Sequence, residues 1–256
     1  MLSFCGISQT TIGNKPKPEL AEKPGVLAPG KKHKVMLIPF EKKMYMSQID
    51  HKINAETKWD QKKIRAAFRE GIDDELYKKL KSRFDVLSLL DDTIKYKKDI
   101  AGIYEYLSYK YDKVPNQQHY TAPKTEKEKP NIKKGQLMTE SVTGEHFMNA
   151  KITSPALIPG LYAKYKTDIF LFVNQIDILS SNTLVVEAGN MNSRTITIHY
   201  TVFTVDAKEI NSGTCSVKFP ADVNNPSKIV SSYLSKIAEE IARRMDKAVY
   251  PVAVNK

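Results

Sequence analysis

The chain has 256 residues, enough for one large domain or two ordinary ones, with a hydrophobic core that needs no disulfide or metal staples. With 41% hydrophobic and 27% charged residues it is not disordered throughout, and no apolar run reaches the roughly 18–20 residues of a membrane-spanning helix. The formal net charge of +11 raises nucleic acid, anionic lipid or an acidic polymer as partners. It is unevenly placed, since residues 1–134 hold 28 Lys and Arg against 18 Asp and Glu, and residues 135–256 hold 12 against 11.

Met1 to Gln9 lacks the basic start and apolar length of a whole secretory signal. It matches the last part of one, with Gly6 and Ser8 as the small pair and cleavage before Gln9. Residues 1–8 therefore read as the remnant of a signal peptide, and the protein as periplasmic or outer-membrane-associated. The alternative is a frayed N-terminus on a cytoplasmic protein. Cys5 follows the bulky Phe4, where lipidation signals carry a small residue, so a lipid anchor is the weaker reading. Residues 9–33, with Pro16, Pro18, Pro24 and Pro29 among lysines, read as an extended tether.

Val35 to Phe40 is a continuous apolar run, the pattern of a strand buried on both faces, with Pro39 at its end. A polar loop is expected over residues 41–56, followed by a capping-box-like helix start at Thr57 and Asp60. Ile64, Phe68, Ile72, Leu76 and Leu80 then recur every four residues, one apolar face of a long helix with Lys and Arg opposite. Phe84 to Leu90 reads as a second strand, parallel to the first through a right-handed crossover. A further helix is predicted over 99–112, and a Pro-, Lys- and Glu-rich flexible insertion over about 113–140. Leu157 to Tyr165 gives a short helix and Asp168 to Ile178 a strong strand. Two strands flank a hairpin connection at 189–193, the second alternating Ile196, Ile198, Tyr200 and Val202 with Thr195, Thr197, His199 and Thr201, so that one face is the more deeply buried. Asp206 to Gly213 is expected to turn the chain into a last strand that ends near Phe219. Asn225 and Pro226 open a final helix whose core face is Ile229, Tyr233, Ile237, Ile241 and Met245.

This order carries a resemblance. It rests on a first strand ending in Ile38-Pro39-Phe40, a long helix, a strand ending in Asp91-Asp92, a small-residue helix leading into Asp168, and a hairpin with Val205-Asp206 and Asn211-Ser212-Gly213 before a helix. Over residues 34–112 and 155–248 the chain resembles periplasmic α/β domains of the curli-secretion lipoprotein, the lipoprotein activators of penicillin-binding proteins, and the amino-terminal domain of TolB. The resemblance implies a role in binding or assembly at the cell envelope, without catalysis. The expected fold class is α/β: a single mixed β-sheet flanked by helices, with a strand–helix–strand start, antiparallel hairpins later and a C-terminal helix. The domain would span residues 34–250.

Chemical motifs are sparse. The histidines (His33, His51, His119, His146 and His199) show no zinc-site spacing, and His199 reads as a strand residue on the more polar face. Asp73, Asp74 and Glu75 read as a solvated helix face. Tyr106 and Tyr109, among lysines, read as a half-exposed rim of the kind that grips single strands. No catalytic, metal-binding or cofactor-binding residues are assigned. The preferred partner-binding surface is the loop after the first strand with the helix start: Lys42, Lys43, Met44, Tyr45, Met46 and Trp59, positive charge beside large adaptable apolar groups. The expected function is a non-enzymatic binding or assembly factor of the bacterial envelope, recognising an envelope protein or anionic polymer. A cytoplasmic nucleic-acid-binding protein is the alternative, and an enzyme stands behind both. The spread of basic residues over tether, first loop and helix, and insertion favours a broadly basic surface over a single nucleic-acid groove.

Overall fold

A computed structural model describes residues 31–114, 132–133, 136–137, 146–185 and 191–251. The expected signal remnant (residues 1–8), most of the expected tether (9–33) and most of the expected insertion (about 113–140) lie outside the described residues. Chain order runs β1 (Lys34–Ile38), a 3-10 turn (Lys42–Met44), β2 (Tyr45–Ser47), α1 (Asp50–Thr57), α2 (Gln61–Leu80), β3 (Asp85–Ser88), α3 (Lys97–Glu105) and β4 (Leu107–Lys113). The two-residue strands β5 (Ile132–Lys133) and β6 (Gln136–Leu137) follow, then β7 (His146–Ile152), α4 (Leu157–Tyr165), β8 (Ile169–Val185), β9 (Met191–Thr204) and β10 (Glu209–Pro220). The last helix starts as α5 (Pro226–Ile229), passes through a π-helical turn (Val230–Leu234) and continues as α6 (Ser235–Val249).

The main sheet has the order β10-β9-β8-β1-β3, with β2 beside β8. β1 runs parallel to both β3 and β8, while β8, β9 and β10 are antiparallel neighbours. The sheet is therefore mixed, with a strand–helix–strand start and later hairpins. Side chains alternate between two cores because strand residues alternate faces. Val35, Leu37, Ile169 and Leu171 join the face covered by α1, α2 and the last helix. Met36, Ile38, Phe170 and Phe172 join the face covered by α3 and α4.

The apolar stripe of α2 lies in the first core, with Ile64, Phe68, Ile72, Leu76 and Leu80 all buried, each worth about 1.5–3 kcal/mol relative to exposure. Gly71 is where α2 meets the last helix. A Cβ there would lie 2.5 Å and 2.8 Å from the two Val230 methyls, so glycine permits the close approach. Asn225 caps the last helix by accepting from the Lys228 N–H, with Pro226 at the first helical position.

Five local expectations change. Residues 41–56 are not a plain loop, because α1 forms with Ile53 as its buried residue, too little apolar content to show a period. The cap of α2 is Asp60, which accepts from the Lys63 N–H at 2.7 Å, while Thr57 Oγ1 donates to the Ile53 carbonyl. The helix predicted over 99–112 ends at Glu105; Leu107 onward pairs antiparallel with β7, the alternation Leu107, Tyr109, Tyr111 fitting a strand equally well. The last strand starts at Glu209, before Gly213. Asp73 and Glu75 are buried, so this run is not a solvated face.

One feature of β1 and β2 shapes the site. Both lie along β8, Ile38 opposite Phe172 and Tyr45 opposite Ile176. The chain spends residues 39–44 where β8 spends only 173–175. The surplus stands out from the sheet as the Lys42–Met44 turn, clamped at both ends.

Candidate functional site: a basic groove at the strand ends

After β1 the chain passes through α1 and α2 on one face of the sheet; after β3 it enters α3 on the other. Where neighbouring parallel strands send their connections to opposite faces, a crevice opens beyond their carboxyl ends, the usual ligand position in open α/β sheets. Here it is a groove of about 870 Å³. One wall is α2, with Lys62, Arg65, Ala66, Arg69 and Glu70 on a single helical stripe. The other is α3 and the turn before it, with Thr93, Lys97, Ile100 and Tyr104, and Glu41, Lys42 and Lys43 close the end.

Arg69 is held from below. Its Nε donates to the Phe40 carbonyl at 2.8 Å and its Nη2 to the Tyr104 hydroxyl at 2.9 Å. Tyr104 in turn donates to the Pro39 carbonyl at 2.6 Å. The carbonyls at the end of β1 thus fix one side chain from each wall. Burial pushes the Tyr104 phenol up despite the neighbouring Arg69, which keeps it a hydrogen-bond donor.

Charge here is poorly compensated. Six cations face two carboxylates, Glu41 and Glu70. Lys43 pairs with Glu41 at 2.8 Å. Lys42, Lys62, Arg65, Arg69 and Lys97 form no ion pair among the described residues, whereas Lys79, Arg83, Lys151, Lys164, Arg243 and Arg244 all do. Gathered like charge without counter-charge attracts anions. Six basic residues that stand apart in the sequence, between positions 42 and 97, are thus brought to one groove.

Next to Arg69 along α2, Asp73 is buried against the end of β3, where Ser88 Oγ donates to its Oδ2 and accepts from the Leu90 N–H at 2.9 Å. Burial pushes its carboxyl up to about 7, with Asp91 and Asp74 adding to the rise and the Ser88 hydroxyl and Arg69 opposing it.

The six residues singled out from the sequence part company. Lys42 and Lys43 line the groove. Met44 and Tyr45 are buried; the Tyr45 ring stacks on Phe68 and its hydroxyl donates to Asp50. Met46 is exposed on β2, and Trp59 packs partly buried against the core with the Lys63 ammonium 4.3 Å from its ring centroid. Lys62, Arg65, Arg69, Thr93 and Lys97 escaped the sequence reading. The spacing 62, 65, 69 was the available signal, a basic stripe that looks like any solvated helix face until a second wall stands opposite. Tyr109 packs into both cores while Tyr106 is 44% exposed, so the two do not make one stacking rim.

A second polar cluster joins β4 and β7 to the main sheet. His199 Nδ1 accepts from the Met148 N–H at 2.9 Å, so its Nε2 bears the hydrogen and donates to Asp177 Oδ2 at 2.9 Å. Both ring nitrogens are thereby engaged. Asn149 accepts from Thr201 Oγ1 at 2.7 Å and donates to Asp112 and Glu209; Asn174, at a bulge in β8, donates to Thr201 and to the Met148 carbonyl. Free Cys215 is buried, its thiol pushed up to about 12 by burial, and packs as a small apolar group. Among the described residues no group of three His, Cys, Asp or Glu is placed to hold a metal ion, and no helix is long and apolar enough to cross a membrane.

No protein-family model matches the chain, and no curated protein does either. Distant likenesses occur among solved structures. Lipoprotein GNA1162 from Neisseria meningitidis is 10% identical, over 82% of this chain and 99% of that one, with a TM-score of 0.38. Protein CT253 from Chlamydia trachomatis is 12% identical, over 86% and 99%, with a TM-score of 0.39. Neither is described as a member of the curli-secretion, penicillin-binding-protein-activator or TolB groups.

Proposed function

We propose that this protein is a non-enzymatic binding or assembly factor of the bacterial cell envelope, periplasmic or outer-membrane-associated, and that its ligand is anionic and seats in the groove between α2 and α3. One observation carries the reading: five cations converge there without an ion-pair partner among the described residues, at the strand ends where α/β sheets bind ligands. The envelope setting rests on the order of elements and the short motifs in the sequence, from Ile38-Pro39-Phe40 through Asn211-Ser212-Gly213. Lys42 and Lys43 keep their assigned role; Met44 and Tyr45 support the turn from beneath.

The test is a titration of the full chain with a labelled soluble polyanion, dextran sulfate, across a range of salt concentrations. Affinity should fall steeply with salt, and replacing Lys62, Arg65 and Lys97 by Ala should each lower the logarithmic salt slope by roughly one. A salt-independent affinity, or an undiminished slope in the triple variant, rules the groove out. A single-stranded oligonucleotide in parallel distinguishes the nucleic-acid alternative, which requires tighter binding to it than to dextran sulfate at equal charge.

A further inference from the structure

We infer that the groove and the turn between β3 and α3 together form a docking surface for an anionic phospholipid membrane, with headgroup phosphates on the groove cations and Ile94 entering the acyl boundary. The inference rests on the groove being an anion site and names its partner. Ile94 is 89% exposed, the most exposed large apolar side chain among the described residues. It follows Thr93, which lines the groove, and precedes Lys95 and the groove-lining Lys97. The turn holds it outward. Asp92 Oδ1 accepts from the Ile94 and Lys95 N–H groups at 3.1 Å and 2.8 Å, and the Asp92 carbonyl accepts from the Tyr96 N–H at 3.0 Å. Tyr96 itself is buried and packs edge-on against Tyr165. Ile94 is thus fixed in water between two anchored neighbours, with no route into the core that keeps these bonds.

An apolar tip framed by lysines beside unpaired guanidinium and ammonium groups requires two chemistries at once. A soluble polyanion satisfies the cations and leaves Ile94 wet. A bilayer of anionic lipid supplies phosphate at headgroup depth and hydrocarbon just below it. The opposing charges in the turn are Asp91 and Asp92, and the Asp92 carboxylate is occupied by the two backbone N–H groups. One apolar side chain and a handful of cations give reversible attachment rather than permanent anchorage.

Co-sedimentation of the full chain with vesicles of phosphatidylcholine, alone or mixed with phosphatidylglycerol, tests the inference. The mixed vesicles should bind and the neutral ones should not. Ile94→Ala, at an exposed site, should weaken vesicle binding roughly tenfold while leaving dextran sulfate affinity unchanged. Lys62→Ala with Arg65→Ala should weaken both, by roughly fivefold per cation for the vesicles. Dextran sulfate binding without vesicle binding, or vesicle binding indifferent to Ile94→Ala, overturns the membrane assignment and leaves the anion site standing. Failure to bind either probe overturns both.

Discussion

Asp73 sits four residues beyond Arg69 on α2 and only 3% exposed, taking a hydrogen from Ser88 at the end of β3. Burial is the main reason its carboxyl is raised from 3.8 to about 7. Through that interval the folded chain retains a proton that the unfolded chain has lost. The stability this group contributes is therefore complete below about pH 4 and is lost as pH climbs through about 7, by on the order of 4 kcal/mol if the whole shift is realised. Asp73→Asn keeps the shape and removes the titration. Its urea midpoint should exceed the parent's at about pH 8 and lose that advantage at about pH 4; parallel profiles would refute the assignment. The sequence hid this residue because Asp73, Asp74 and Glu75 are consecutive acids. Periodicity places them around the helix, yet it does not reveal that the end of β3 stands against one of them. The same holds for Lys42 to Met46, where only the packing separates the two groove lysines from the core-facing Met44 and Tyr45.

Among the elements, β4 and β7 are attached to the main sheet by polar atoms as much as by apolar ones. Asn149 bonds Thr201, Asp112 and Glu209, and Lys151 reaches Asp112 at 3.0 Å and Glu209 at 3.5 Å. Burial pushes the Asp112 carboxyl up, but the bonds from Lys151 and Asn149 outweigh it and hold the group below its ordinary value. Asn149→Ala removes a donor and an acceptor from this seam and should cost about 1–3 kcal/mol. Native-state hydrogen exchange should show the amides of β4 and β7 opening well before those of β8 and β9; uniform acceleration across all four strands would refute a local role. The strands and helices themselves were largely legible, because Val35 to Phe40, the stripe of α2, the alternation in β9 and the Asn225-Pro226 start each follow from one burial pattern or cap. The seam was not. Thr201 and His199 alternate with apolar neighbours and read as the more polar, less deeply buried face, whereas β7 covers both and satisfies them by hydrogen bonding, a cover hydropathy does not register.

At the scale of the molecule, the topology brings six cations from residues 42–97 into one groove with only two carboxylates. The mixed sheet could be read from the order of apolar runs. The groove could not, because it depends on the chain leaving β1 and β3 toward opposite faces, which no local pattern records. Gathering like charges costs folding stability through self-repulsion, a common trade at binding sites. Lys62→Gln with Arg65→Gln should therefore raise stability by roughly 0.5–1 kcal/mol at low salt, an advantage that fades as added salt shortens the screening length. Thermal unfolding at low and high salt measures it; a double variant no more stable than the parent at low salt would show that the groove carries no strain of charge.

The turn that carries Lys42 and Lys43 is a surplus of chain between two strand segments that share β8 as neighbour. Because the register on either side is set by β8, residues added to or removed from this turn alter the end wall of the groove without shifting the sheet. The turn thus behaves as an exchangeable cassette. Its two exposed lysines can be exchanged while Met44 holds the base of the turn in the core, so that one scaffold can be retuned to a different anion at the end wall of the groove.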